Sequence, residues 1–505
     1  MNILEAKEEI KNTVSIYLET DELGDYLIPY MKQRPIFMIG APGIGKTAIM
    51  EQIAAEMDIG LVSYSMTHHT RQSAIGLPFI ATETYAGEER RVSRYTMSEI
   101  IAAVYDVIER TGKQNGILFL DEINCVSETL SPAILQFLQY KTFGNVSLPR
   151  GWIIVSAGNP PEYNKSVKEF DIATRDRLKC LQVEENFEVW RQYAYDSQVH
   201  GAIIAFLEIN RSWFYVVRTT VDGQVFATAR GWEDLSYAIK LYEKKAIPVS
   251  VKLIFQYITD GEVARKFMVF YDLFKKYRED YRLEWIIDGK ADDATVDKAA
   301  QAAFDERIAL IEMLTETLNA TFHTVLENQA VLEQTAVTLR KVKHQASEDK
   351  IAATQLRETL RQEAQSVELS LKQKQEANAL SGDDKRRQRQ VCQLLMAYHD
   401  MIKEVGQPDK EFAKLKRDFA AKAKKQAQGM NETGKQLDNV FAFLEKAFGE
   451  GQEMTYFLTI VTAGRASSQF ISRHGSTAYY KHNKSLLVYD VQAELKEAIK
   501  ADLSL

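Results

Sequence analysis

Cysteine is scarce in this chain: three in 505 residues, at Cys125, Cys180 and Cys392. They are far apart and sit in no paired motif. That excludes a disulfide scaffold and a cysteine zinc site, and it fits a reducing cytosol. Long apolar runs are also missing. Nothing approaches the ~20 consecutive apolar residues that span a bilayer. The N-terminal stretch "MNILEAKEEIKN" is charged and has no signal-peptide core, so a cytoplasmic location is expected. Excess positive charge is lacking too. The net charge is −7, which argues against non-specific nucleic-acid binding as the main task. Proline is unevenly short. Of ten, only Pro248 and Pro408 lie beyond residue 165, and residues 290–381 hold neither proline nor glycine. A strand-and-loop-rich first part therefore gives way to a helical remainder.

What is present fits a packed globular protein of roughly three or four domains, with 45% hydrophobic and 26% charged residues. In the first part "RPIFMIG", "IGLVSYSM", "GILFLDEI" and "GWIIVSAGN" read as short buried strands. Helical patterns such as "SEIIAAVYDVIERTGK" separate them. This alternation predicts an α/β domain with a parallel sheet and helices on both faces. Ligands of such sheets bind at the carboxyl ends of the strands.

The loop "GAPGIGKT" lies at one of those ends. Gly40, Gly45, Lys46 and Thr47 fit the phosphate-loop spacing, between a strand and a helix as that motif requires. Glycines let successive backbone N–H groups face one anion, and the following helix adds its positive end. Gly40, Ala41, Pro42, Gly43, Ile44, Gly45, Lys46, Thr47 and Ala48 are the expected ATP-binding segment. Lys46 would reach the β- and γ-phosphates, and Thr47 would hold Mg²⁺. The strand "GILFLDEINCV" supplies Asp121 as the second Mg²⁺ residue and Glu122 as the base that polarises an attacking water. Asn159, ending "GWIIVSAGN", would hold that water. Arg175 or Arg177, in "EFDIATRDRLKC", would neutralise charge at a neighbouring subunit's nucleotide, or else pair with Asp171 or Asp176. The histidines of "THHT" at 67–70 point to opposite sides of an extended chain, which disfavours a metal pair.

With these motifs in order, the first 280 or so residues resemble the AAA+ ATPases, most closely the MoxR group with an insertion in its second helix. "GAPGIGKT", "LFLDEIN" with Asn124, and "SAGNPPEYN" carry the resemblance. It implies Lys46 and Thr47 as nucleotide ligands, Asp121 as the metal residue, Glu122 as the base and Asn159 as the first sensor. Arg177 falls at the arginine-finger position, before a Leu where many members have Phe, so Arg175 stays a candidate. "FATARGWEDLS" resembles the second-sensor helix, which makes Arg230 a γ-phosphate contact. The stretch at 72–98 resembles the family's hairpin insertion. A ring, a hexamer by family habit, follows from a finger in trans. A protein client and a partner with a von Willebrand A domain are what the family implies.

The expected organisation is an α/β nucleotide domain over 1–185, a helical lid over 186–280, a helical arm over 281–450 and a small helical cap over 451–505. Phe304, Ile308, Ile311, Leu318, Phe322, Val325, Leu332 and Leu339 follow helical spacings, as in a helical hairpin or short coiled coil. Its tip is expected at 344–350 and a turn at 380–390. The basic stretches "DDKRRQRQ" and "KLKRDFAAKAKKQ" read as solvated helix faces, with Phe412, Leu415 and Phe419 on the opposite side. The leading expectation is an ATP-hydrolysing ring motor that remodels or activates a partner protein. The alternative is a nucleotide-gated scaffold with slow hydrolysis, and a nucleic-acid motor ranks third.

Overall fold

A computed structural model describes residues 1–68, 71–144, 146–163, 167–220, 223–348, 353–376, 382–403 and 407–484. The chain forms two compact units. The first covers Met1–Val189 with the short segment Lys374–Ala379; the second takes in Trp190–Gln373 and the chain from Leu380 on.

The first unit is built on five parallel strands. In chain order its elements are α1 (Ile3–Leu18), β1 (Ile36–Gly40), α2 (Lys46–Glu56), β2 (Gly60–Ser65), the hairpin β3 (Pro78–Tyr85) and β4 (Glu88–Tyr95), α3 (Glu99–Thr111), β5 (Gly116–Asp121), α4 (Ser131–Tyr140), β6 (Trp152–Gly158) and β7 (Lys179–Val183). The sheet order is β2-β5-β6-β1-β7, and every pairing in it is parallel. Successive strand side chains alternate between faces, and the sequence exploits this. Phe119, Ile117, Met38 and Val155 pack with α1 and α2 on one face. Leu118, Leu120, Phe37 and Ile154 pack with α3 and α4 on the other. Both faces are dry, so the strands read as continuous apolar runs. The expected α/β class with a parallel sheet is what forms. The sequence reading missed two elements here, α1 and the edge strand β7, whose burial alternates.

The second unit is mainly helical. It contains α5 (Phe187–Asp196, which starts just before the boundary), α6 (Gly201–Ile209), a hairpin β8 (Val216–Thr220) and β9 (Gly223–Ala227), α7 (Ala229–Lys244), α8 (Gly261–Tyr281), α9 (Phe304–Glu348), α10 (Ala353–Glu376), α11 (Gly382–Met401), α12 (Pro408–Phe448), α13 (Gln452–Ala463) and α14 (Arg465–His474). The hairpin corrects an all-helical reading of 186–280. It forms because "YVVRTT" and "GQVFA" carry β-branched and aromatic residues on either side of a turn.

Helix α6 is buried on all sides from Gly201 to Leu207, as an all-apolar helix must be. Helix α9 lies along it and also packs on α8, α12, α13 and α14. Ile308, Ile311, Leu314, Leu318 and Phe322 of α9 are at most 4% exposed, and Phe322 stacks on Phe470 with centroids 4.8 Å apart. The first half of the expected arm stripe is thus core shared with α6, α8, α13 and α14; only Phe304, at its start, is exposed. The far end of α9 joins a separate cluster. There Val331, Leu339 and Val342 meet Leu356 and Leu360 of α10, Val391 and Leu395 of α11, and Leu415 of α12, with Phe412 and Phe419 packed alongside.

The turn expected at 380–390 is helix from Gly382 onward. Asp384 lies in its first turn, where an acidic side chain suits the positive end, and the Lys, Arg and Gln that follow are strong helix formers. The expected tip at 344–350 is helical through Glu348; the remainder lies outside the described residues. The same holds for the cap beyond residue 484. Among the described residues no helix is long and apolar enough to cross a membrane.

Phe322→Ala should remove a ring from the core joining α9 to α14, at a cost of about 3–5 kcal/mol. Urea unfolding followed by the tryptophans of the second unit should show an earlier midpoint, while nucleotide affinity is retained. An unchanged midpoint would mean that α9 is not core.

Candidate active site

Strand β1 ends at Gly40, where space is tight. A Cβ there would lie 2.5 Å from the Val183 carbonyl oxygen and 2.8 Å from Ile44 Cδ1. The loop then turns through Gly43 (φ +78°) and Gly45 (φ +94°), the left-handed region that glycine enters without cost. Helix α2 starts at Lys46 with Gly45 as its N-cap. No side chain caps it and no acid lies in its first turn. Its first N–H groups and positive dipole end are therefore offered to an outside anion. The Lys46 side chain is buried, at 8% exposure. Its ammonium donates to the Gly40 and Ala41 carbonyls at 2.7 and 2.8 Å and to Asn159 Oδ1 at 3.0 Å.

At the end of β5 the Thr47 hydroxyl donates to Asp121 Oδ2 at 2.9 Å. The other oxygen of Asp121 accepts the Glu122 N–H at 2.9 Å. A hydroxyl beside a carboxylate is an all-oxygen, hard donor set, which suits Mg²⁺. Glu122 takes a left-handed backbone, φ +55°, as the chain turns out of the strand. Its carboxylate oxygen Oε2 accepts from Thr67 Oγ1 at 2.9 Å and Ser65 Oγ at 3.3 Å.

The sequence reading missed those two hydroxyls. Their signal is the polar end of "VSYSMT". That strand runs beside β5, with Ser65 in register with Asp121. Thr67 belongs to the "THHT" stretch, whose His69 and Thr70 lie outside the described residues. No group of three or more His, Cys, Asp or Glu able to hold a metal occurs among the described residues.

Asn124 is 6% exposed. Its Nδ2 donates to the Asn159 carbonyl at 2.8 Å. A Cβ on Gly158 would lie 2.5 Å from Asn124 Oδ1, so that glycine makes room for the amide. Asn124 thus ties the end of β5 to the end of β6 and sets where Asn159 begins. Nearby, burial and the carboxylates of Glu122 and Asp121 push the Cys125 thiol up, which keeps it a poor nucleophile.

Lys46, Thr47, Asp121, Asn159 and, through Asp121, Glu122 are therefore drawn into one connected set. Arg175 and Arg177 lie outside that set. Arg175 ends a short helix, Ile172–Arg175, whose Asp171 cap accepts the Thr174 N–H at 2.8 Å. Arg177 follows in the next turn. Both are exposed, and neither guanidinium forms a hydrogen bond or ion pair among the described residues. Asp171 is held below the usual carboxylate range, chiefly by hydrogen bonding to Thr174 and, to a smaller extent, by the nearby Arg177 charge. Arg230 lies in the second unit, on the exposed face of the first turn of α7, which Thr228 caps through the Gly231 N–H.

The 72–98 stretch contains the hairpin β3–β4, paired from Pro78↔Tyr95 to Tyr85↔Glu88. Glu83 and Arg94 pair across it through two hydrogen bonds of 2.6 and 2.7 Å, and Phe79 and Ile80 are exposed.

Comparison with known proteins agrees with this geometry. Residues 36–161 match the family model "ATPase family associated with various cellular activities (AAA)". The matched span runs from β1 past Asn159 and takes in the whole connected set; Arg175, Arg177 and Arg230 lie beyond it. It supports an AAA+ ATPase domain that binds nucleotide. No curated protein matches the chain.

Lys46→Ala removes a charged donor that is worth about 1.5–3 kcal/mol in a hydrogen bond. Titration with a fluorescent ATP analogue should show affinity falling by about tenfold or more. An unchanged dissociation constant would remove Lys46 from phosphate binding.

Proposed function

We propose that the chain is a Mg²⁺-dependent ATPase of the MoxR type that works as a ring, a hexamer by family habit, and remodels or activates a protein partner. The observation that carries this reading is the meeting of Lys46, Thr47, Asp121 and Asn159 at the carboxyl ends of β1, β5 and β6. Lys46 and the bare N-terminus of α2 bind the β- and γ-phosphates. Thr47 and Asp121 hold Mg²⁺, which supplies charge neutralisation and orientation of the phosphates. Glu122 takes the proton of the attacking water, and Asn159 positions that water. Arg177, or Arg175, completes a neighbour's site from outside. The exposure of both side chains and their lack of partners among the described residues support that role. Arg230 serves as the contact from the lid. A protein bearing a von Willebrand A domain is the partner class that the resemblance suggests.

A second reading is a nucleotide-gated scaffold with slow hydrolysis. It is favoured by the two hydroxyls, Ser65 and Thr67, that engage the Glu122 carboxylate and compete with its work as a base. Turnover separates the two readings. A motor is stimulated by its partner, whereas a scaffold changes partner affinity with nucleotide state.

Glu122→Gln keeps size and hydrogen bonding but cannot accept the proton. It should bind ATP normally while hydrolysis falls by about 10² or more; near-normal turnover would rule Glu122 out as the base. Mixing Glu122→Gln with Arg177→Ala subunits should restore some hydrolysis, because some interfaces then combine an intact base with an intact finger. Recovery with Arg175→Ala in place of Arg177→Ala would reassign the finger, and recovery with neither would place both arginines outside a trans role.

A further inference from the structure

The second unit carries a charge pattern that whole-chain composition hides. Residues 385–425 hold twelve Lys and Arg against five Asp and Glu, a net of +7 in a chain of −7, so the other 464 residues carry −14. Much of that excess lies on one face of α12. At 100° per residue, Lys410, Lys414, Arg417, Lys424 and Lys425 fall within about 100° of one another over about 22 Å of helix, and all five are exposed. The opposite face is fixed inward. Leu415 is fully buried, Phe412 and Phe419 pack on the distal cluster, and Gln426 Nε2 donates to the Val325 carbonyl at 2.6 Å.

The acids on this stretch of helix are already engaged. Glu411 pairs with Lys414 at 2.6 Å and Asp418 with Lys422 at 3.1 Å. Lys410, Arg417, Lys424 and Lys425 make no ion pair among the described residues. Ala413, Ala420, Ala421 and Ala427 lie exposed beside the cations. They keep the surface flat enough for a second helix to approach to the usual 8–10 Å between axes. No exposed aromatic interrupts the stripe, so it lacks the stacking platform that single-stranded nucleic acid uses. The −14 on the remaining chain opposes a long polyanion more than a short acidic surface.

We propose that this face of α12 docks an acidic helix of the partner protein, whose Asp and Glu side chains at helical spacing meet the cationic stripe. This rests on the reading that the chain acts on a protein partner. The attraction is largely solvent-exposed. It therefore speeds and orients encounter and weakens steeply with salt.

The test uses the full-length protein. The probe is a fluorescein-labelled 20-residue Ala/Glu peptide with glutamates at every third and fourth position, followed by anisotropy at 50 and 200 mM salt. Binding should appear at low salt and drop at least tenfold at the higher concentration. A variant carrying Lys410→Gln, Lys414→Gln, Arg417→Gln, Lys424→Gln and Lys425→Gln should lose at least tenfold at low salt while keeping its circular dichroism and thermal midpoint. A control that removes five cations elsewhere, Lys244, Lys245, Lys252, Lys275 and Lys276 each to Gln, should bind like the unmodified protein. Equal loss in both variants, or no binding at all, overturns the proposal. Tighter, stripe-dependent binding of a 20-base-pair DNA duplex overturns it in favour of nucleic acid. ATP hydrolysis by the unmodified protein is measured separately, so failure of the ATPase reading is seen independently of the peptide result.

Discussion

The first unit depends on where one buried ammonium finds its acceptors. Lys46 leaves the first turn of α2 and returns to the Gly40 and Ala41 carbonyls at the end of β1, then crosses to Asn159 beyond β6. A buried charge without such partners would be costly. The loop geometry, the neighbouring position of β1 and β6 and the side-chain amide of Asn159 are therefore mutually required. Asn124 repeats the same economy with a neutral group: one amide joins the ends of β5 and β6. The sheet order β2-β5-β6-β1-β7 brings these ends side by side. Connected polar groups over a dry apolar sheet form a site that is stiff because few of its members can move alone.

The second unit obeys a different constraint. Helix α6 has no polar side to show to water from Gly201 to Leu207, so neighbours must surround it. Helix α9 is the largest of them. The Gly- and Pro-free stretch within the expected helical arm is thus partly committed to covering α6. Only its distal end, together with α10, α11 and the start of α12, builds a cluster of its own. The basic stripe belongs to that distal part, clear of the core around α6.

Much of the first unit was legible because its signals are strong and local. Continuous apolar runs marked the buried strands, and the glycine spacing at Gly40–Thr47 admitted few alternatives. Other elements were hidden by weaker or non-local causes. Strand β7 alternates in burial, so "KCLQV" lacks the continuous apolar run that marks the other strands. The hairpin β8–β9 is short and set among helices. The helix from Gly382 was masked by the glycine and two aspartates that open it. Ser65 and Thr67 could not be seen as partners of Glu122 because the contact joins residues more than 50 positions apart and depends on which strand lies beside β5. The stripe of α9 was visible as a helix, but periodicity says only that a face is covered, not by what.

Helix α9 runs unbroken for 45 residues, about 68 Å at the usual rise. Helix α12 lies against it, and the two ends of α9 are gripped by separate apolar clusters. Such a rod is a lever. A tilt of roughly 10° at the end seated on α6 would carry the other end through about 12 Å over that length, twice the pitch of a helical turn. A small rearrangement among the helices around α6 would thus arrive at the distal cluster as a displacement large enough to exchange one set of surface contacts for another.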